Sequence, residues 1–263
     1  MLLAIDIGNT NVTLGVFQGE TLKATWRLAT DARRMPDEYG IALLNLLPLR
    51  GVAPSDIDAV AMCGVVPPLT AVFCELCESY LHVKPLLVGA GVRTGIKILY
   101  DNPRDVGADR IVQSAAAFRI YGGPLIVVDC GTATVFDAVT AQAEYLGGAI
   151  APGLRLAAES LFSNTSQLRR VDMAAPKTAI GKNTTHAMQS GLVLGNVDLI
   201  NGMVKRFKKE LGEDSKVIGT GGLVPLIASE TKVFDAVNLD LILVGLRMIY
   251  EMNATSIPQT RLP

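Results

Sequence analysis

Leu2-Leu3-Ala4-Ile5-Asp6-Ile7-Gly8-Asn9-Thr10 opens the chain, and Leu125-Ile126-Val127-Val128-Asp129-Cys130-Gly131-Thr132-Ala133-Thr134 returns halfway along it. In each stretch an apolar run ends in an Asp, a Gly and a cluster of small hydroxyl or amide side chains. Setting Asp6 on Asp129 superimposes Gly8 on Gly131 and Asn11 on Thr134. Each copy continues as a second apolar stretch and, past a polar turn, a third. These are Val12 to Phe17 and Leu22 to Leu28 in one copy, Val135 to Val139 and Tyr145 to Ile150 in the other. A carboxylate at a strand end, beside a glycine turn with backbone N–H groups to offer, suits a metal-bound phosphate. Two such turns facing each other hold a nucleoside triphosphate from both sides. One Asp-x-Gly alone is an ordinary β-turn, with Asp satisfying its own backbone and Gly taking positive φ. Two copies in matching strand–turn–strand contexts favour the phosphate reading.

The 263 residues accommodate two half-size lobes, and an apolar share of 49% supplies two cores. With 24 basic against 25 acidic residues there is no broad positive field, so neither nucleic acid nor a membrane surface is an expected partner. Apolar stretches fall short of the ~18–20 residues that span a bilayer. No basic region and cleavage site precede Asp6, so a cytoplasmic location is expected. The four cysteines make no disulfide framework. Cys74 and Cys77 lie on a helical stretch, Thr70 to Tyr80, without further ligands at zinc spacing, and read as buried apolar side chains.

Helices are expected over Pro36 to Leu49, from Ala108 to Tyr121, over Leu154 to Phe162, through most of Asn183 to Leu211, and over Leu239 to Met252. Further strands are expected at Ile57 to Met62, Lys84 to Val88 and Lys216 to Gly219. Gly122-Gly123-Pro124 marks a natural boundary, giving lobes of residues 1–121 and 122–263.

Asp109 lies in Gly107-Ala108-Asp109-Arg110, in the first turn of a helix. Unpaired N–H groups and the helix dipole there favour an ionised carboxylate. Such a group accepts a proton from a substrate hydroxyl, as phosphoryl transfer to an alcohol requires. Acidic residues are also common in first turns for the same electrostatic reason, and the sequence alone does not separate the two. Arg110 fits either an anion clamp or a surface pair. Thr220-Gly221-Gly222 suits the close approach of a flat ligand or any tight turn, and Asn183 or Thr184 fits a helix cap. There is no Gly-x-x-x-x-Gly-Lys-Ser/Thr signature of a P-loop.

The duplicated turn with its hairpins resembles the acetate-and-sugar-kinase, Hsp70 and actin superfamily. Within it, Asp6 to Thr10, Tyr100 to Pro103, Gly107 to Arg110, Asp129 to Asp137, Gly147 to Leu154, Ile180 to Thr184 and Thr220 to Leu223 are similar in order and spacing to the type III pantothenate kinases. The resemblance runs from Ile5 to Leu246. It implies an α/β fold of two duplicated actin-like (ribonuclease-H-like) lobes, with mixed five-stranded sheets flanked by helices. It implies ATP-dependent phosphorylation of pantothenate, the first step of coenzyme A synthesis. The implied nucleotide contacts are Asp6, Ile7, Gly8, Asn9, Thr10, Asn11, Val12, Thr13 and Thr132. Asp109 is the implied proton acceptor. Tyr100, Gly107, Ala108, Asp109, Arg110 and Thr184 are the implied pantothenate contacts, and Asp129 the residue for a monovalent cation, potassium or ammonium. Mg²⁺ with ATP, and a homodimer that closes the substrate pocket, are implied too. The segment from Asn183 carries more apolar residues than one core face needs, which fits an interface or, alternatively, a helix buried between other helices of the same lobe.

Three positions depart from the family pattern: Val135 replaces a Thr, Cys63-Gly64 replaces Ser-Ser, and Leu168-Arg169 replaces Leu-Pro. Two other readings stay open. One is a related kinase for another small alcohol or amide, keeping Asp6, Asp129 and the base. The other is a nucleotide-binding regulator with no need of Asp109.

Overall fold

The computed structural model describes residues 1–254; residues 255–263, part of the expected second lobe, lie outside the described set. In chain order the strands are β1 (Leu2–Ile7), β2 (Asn11–Gln18), β3 (Thr21–Ala29), β4 (Ala59–Gly64), β5 (Leu86–Leu87), β6 (Lys97–Ile98), β7 (Leu125–Cys130), β8 (Ala133–Val139), β9 (Glu144–Pro152), β10 (Lys216–Thr220) and β11 (Ala236–Val237). The α-helices are α1 (Pro36–Leu46), α2 (Pro67–Leu81), α3 (Ala108–Tyr121), α4 (Leu154–Ser163), α5 (Thr184–Gln189), α6 (Gly195–Leu211), α7 (Val224–Ala228) and α8 (Leu241–Asn253). One π turn, Ser190–Leu194, joins α5 to α6.

Two compact units result. The first holds Met1–Gly95, Asn102–Ala116 and the described residues from 241 to 254; the second holds Ile96–Asp101 and Ala117–Asp240. A cut between residues 121 and 122 does not reproduce this division, for two packing reasons. Helix α8 buries Leu243, Leu246 and Ile249 with Leu2, Ala4 and Ala61 of the first sheet. Its Gly245 lies so close to α3 that an added Cβ would sit 2.7 Å from Val112. Strand β6 pairs in parallel with β9, Lys97 opposite Glu144, and so joins the second unit.

The first unit's sheet runs β3-β2-β1-β4-β5, with β1 antiparallel to β2 and parallel to β4. The central strand is apolar on both faces because both are covered. Leu3, Ile5 and Ile7 pack among α1 and α2 residues such as Leu43, Leu69 and Phe73, while Leu2 and Ala4 pack with α3 and α8. Strand alternation therefore sets Asp6 on the α3 and α8 face. The second sheet runs β11-β10-β7-β8-β9-β6, six strands rather than the expected five, because of β6. Ile126, Val128 and Cys130 of its central strand bury against α6 and α7 residues, among them Val197, Ile200 and Val224.

The duplication holds down to irregularities of the hairpins. Strand β3 carries Lys23 as an extra residue between the pairs Val16–Ala24 and Phe17–Leu22. Strand β9 carries Leu146 in the same way between Ala138–Gly147 and Val139–Tyr145. The register differs in one respect from the sequence superposition. Asp6 faces Thr13 across its hairpin, seven residues on, whereas Asp129 faces Val135, six on. The first turn is one residue longer: Gly8 N–H donates to the Asn11 carbonyl (3.0 Å), Gly131 N–H to the Ala133 carbonyl (3.0 Å). Beyond the turns, Asn11 thus matches Ala133 rather than Thr134, and Asn9 is the additional residue.

The expected free apolar face on the segment from Asn183 is absent, because the chain's own core takes it up. Met188 and Leu192 pack with Leu154 of α4, and Val197, Ile200 and Val204 pack beneath β7 and β10. Cys77 is buried and Cys74 half-buried, both as free thiols, and no group of three or more metal-ligating side chains occurs among the described residues.

Candidate functional site

In the first unit the turn after β1 leaves Asn9, Thr10 and Asn11 exposed, with Asp6 half-buried beneath them. Ile7 and Val12 are fully buried core residues, so only their backbone faces the turn. Strand β4 places Cys63 opposite Asp6, where its buried thiol donates to Asp6 Oδ1 at 3.6 Å. Burial first, then the negative charges of Asp6 and Asp109, push the Cys63 thiol well above its ordinary range. It remains a neutral donor, and Asp6 and Asp109 both lie within electrostatic reach of it.

Asp109 is the second residue of α3, and its Oδ1 accepts the Arg110 backbone N–H at 2.8 Å. Gly107 packs directly under this carboxylate; an added Cβ would sit 2.4 Å from Oδ1. The helix start was expected to favour the ionised form. The net effect is the reverse: burial raises the Asp109 pKa, and the Arg110 amide and charge offset that only in part. A half-buried carboxylate with a raised pKa is a stronger proton acceptor than a solvated one.

In the second unit Asp129 is boxed by glycines. A Cβ on Gly221 would lie 2.2 Å from Asp129 Oδ1, and one on Gly131 3.2 Å from it. Gly221 adopts φ +91°, so this position requires glycine twice over. Thr220 pairs with Asp129 across β7 and β10, which makes Thr220-Gly221 the counterpart of Cys63-Gly64. These glycines thus serve the carboxylate turn, a role the sequence did not separate from an ordinary turn. Val135, standing directly opposite Asp129, puts methyl groups where Thr13 puts a hydroxyl opposite Asp6. Exposed Thr132 caps the turn, its carbonyl accepting the Gly153 N–H at the start of α4 (3.1 Å).

Tyr100 lies with its ring over Gly147, whose Cβ would meet the ring at 3.0 Å, and 6.4 Å from the ring of Tyr145. Fully buried Tyr145 donates its hydroxyl to Asp137 at 2.7 Å, fixing that seat. Thr184 is exposed at the first position of α5, on a different element from Tyr100. Asn183 is the cap there, its side chain accepting from His186 N–H at 2.9 Å. Leu168 is part-buried beside α4, and Arg170 pairs with Glu159 at 3.0 Å and lies over the Phe162 ring.

The donor set suits magnesium bound with a nucleotide. No carboxylate cage exists among the described residues, and Mg²⁺ characteristically uses one or two carboxylates with substrate phosphates and water.

The family model for type III pantothenate kinases matches residues 2–206. This chain belongs to the type III pantothenate kinase family. A type III pantothenate kinase of Roseiflexus sp. (strain RS-1) is 51% identical over 253 residues, covering 96% of this chain and 99% of its own. That of Myxococcus xanthus (strain DK1622) is 50% identical over 256 residues, covering 97% and 100%. Among solved structures, a Campylobacter jejuni protein assigned to the Baf family of transcriptional activators superimposes with a TM-score of 0.63 at 19% identity, covering 96% and 99%. That last likeness speaks to the fold, which is the α/β, actin-like one. This pantothenate kinase catalyses ATP-dependent phosphorylation of pantothenate in coenzyme A synthesis.

Proposed function

We propose the following division of labour within that reaction. Asp6 and the turn through Thr13 receive the phosphates of ATP, and Thr132 makes a second nucleotide contact. Asp6 would hold Mg²⁺ together with those phosphates, and the bound metal supplies positive charge against the transferring phosphoryl group. Tyr100, Arg110 and Thr184 orient pantothenate, with Gly107 and Ala108 shaping the approach to Asp109. Asp109 takes the proton from the primary hydroxyl as its oxygen attacks the γ-phosphorus, and the bond to ADP breaks in the same displacement. The observation that carries this reading is Gly107, where an added Cβ would lie 2.4 Å from Asp109 Oδ1 and 3.6 Å from Val65, whose N–H donates at 3.0 Å to the carbonyl of Ile7, the residue after Asp6. It supports a nucleotide carboxylate and a proton acceptor working on one face of one sheet.

Asp129 would hold potassium or ammonium in its glycine cradle. A salt series at constant ionic strength tests this: activity rises steeply in potassium or ammonium and stays low in sodium, whereas equal rates in all three would remove the role. The enzyme works in the cytoplasm, a reading in keeping with the lack, among the described residues, of any helix long and apolar enough to cross a membrane. It forms a homodimer through the second unit, where Ile150, Leu156, Phe162 and Ile180 are exposed. Sedimentation of the active enzyme decides this, and a fully active monomer would contradict it. The sequence halves 1–121 and 122–263 remain the two ancestral repeats in this account, whatever unit their final helices join.

A further inference from the structure

The residue that follows the third strand is a second place, after the extra Asn9, where the two duplicated turns diverge. In the first unit it is Thr30, in the second Gly153, and each donates its N–H to the matching turn carbonyl: Thr30 to Thr10 and Gly153 to Thr132, both at 3.1 Å. Thr30 adds a bond that Gly153 has no means to make. Its Oγ1 donates to the Gly8 carbonyl at 2.7 Å. At Gly153 the turn packs so close that a Cβ would lie 2.3 Å from the Thr132 carbonyl and 2.6 Å from that of Gly131. One position thus accepts a branched hydroxyl side chain in one copy and excludes any side chain in the other.

A turn that receives phosphate must point its N–H groups at the anion and keep its carbonyl oxygens, which repel it, engaged elsewhere. In the first turn the carbonyls of Gly8, Thr10 and Asn11 are all engaged: by Thr30 Oγ1, Thr30 N–H and Gly8 N–H. Thr30 accounts for two of the three. Its own place is fixed from below by fully buried Tyr39, whose hydroxyl donates to the Ala29 carbonyl at 3.1 Å and accepts the Asp31 N–H at 3.0 Å. We propose that Thr30 is a positioning residue of this kinase: its hydroxyl latches the Gly8 carbonyl away from the nucleotide and holds the Asp6–Thr13 turn ready for the phosphates of ATP. The inference rests on the reading of that turn as the nucleotide loop.

The test compares Thr30→Val, of nearly the same shape but without the donor, with Thr30→Ser, which retains it. KM for Mg·ATP and for pantothenate, kcat and melting temperature are measured for each. Thr30→Val is expected to raise the KM for ATP roughly three- to ten-fold, the effect of one lost neutral hydrogen bond, with the KM for pantothenate within two-fold of wild type. Thr30→Ser is expected to restore the ATP value. Thr30→Ala carries the same expectation should the valine variant fail to fold. An unchanged KM for ATP in both hydroxyl-less variants overturns the latch, as does an equal rise for both substrates with a matching loss of melting temperature. Asp6→Asn, measured alongside, separates the two levels: if it too leaves the KM for ATP unmoved, the nucleotide-loop reading itself fails.

Discussion

Gly221→Ala offers a quantitative check on the Asp129 cradle. The new methyl would start 2.2 Å from Asp129 Oδ1 and 2.7 and 2.8 Å from the Cys130 backbone carbon and nitrogen. Non-bonded carbon contacts relax only at about 3.5 Å, so these neighbours must give by roughly 0.7–1.3 Å. The Asp129 side chain has some freedom to retreat. The Cys130 backbone has little, since β7 is paired on both sides, by β8 and by β10. Overpacking of this kind costs about 1–3 kcal/mol. A left-handed φ imposed on alanine adds roughly 1–2 kcal/mol. The sum, about 2–5 kcal/mol, is a large part of a typical total of about 5–15 kcal/mol. Urea unfolding measures it directly. Gly222→Ala is the control, because its Cβ would meet nothing within 4 Å; it should stay within about 0.5 kcal/mol of wild type. If Gly221→Ala lost less than about 1 kcal/mol and kept full activity, the tight cradle around Asp129 would be refuted.

Two further outcomes follow from the site. Gly147→Ala pushes on the Tyr100 ring from 3.0 Å and should raise the KM for pantothenate severalfold while the KM for ATP holds; the reverse split would detach Tyr100 from the acceptor. For Asp109, burial sets the folded pKa above the unfolded value near 3.8. The base works ionised, so kcat/KM should fall on the acid side at a pH above 3.8, and an acid limb at or below 3.8 would contradict this. The same raised pKa means that folding carries a cost above the folded-state value that is relieved as pH falls through it. Asp109→Asn should consequently melt no lower than wild type at neutral pH.

Much of this was legible in the chain itself. The apolar runs of β1 and β7, each ending in Asp-x-Gly, announce strands that lead into a tight turn, and their recurrence announces the duplication. The one-residue difference between the turns was hidden, because superposing the aspartates says nothing about where beyond them a residue has been gained. Helical periodicity identifies an apolar face but not its partner, which is why the segment from Asn183 looked free and α8 was placed with the wrong unit. The dipole at Asp109 is local and readable, whereas the burial that outweighs it comes from tertiary packing. Thr30 carries no motif of its own, and Cys63 showed only as a departure from the family's Ser-Ser. Only the fold brings Thr30 to the Gly8 carbonyl and Cys63 to Asp6.

The central claim is that Asp109 accepts the proton while the Asp6 turn holds the nucleotide. Asp109→Asn preserves shape and the acceptor for the Arg110 amide while removing the charge. Phosphopantothenate formation and ATP binding should be measured on the same preparation. Turnover should fall by roughly 10²–10⁴-fold, the usual contribution of a positioned general base, with ATP binding unchanged. Turnover near that of the wild type would contradict the account.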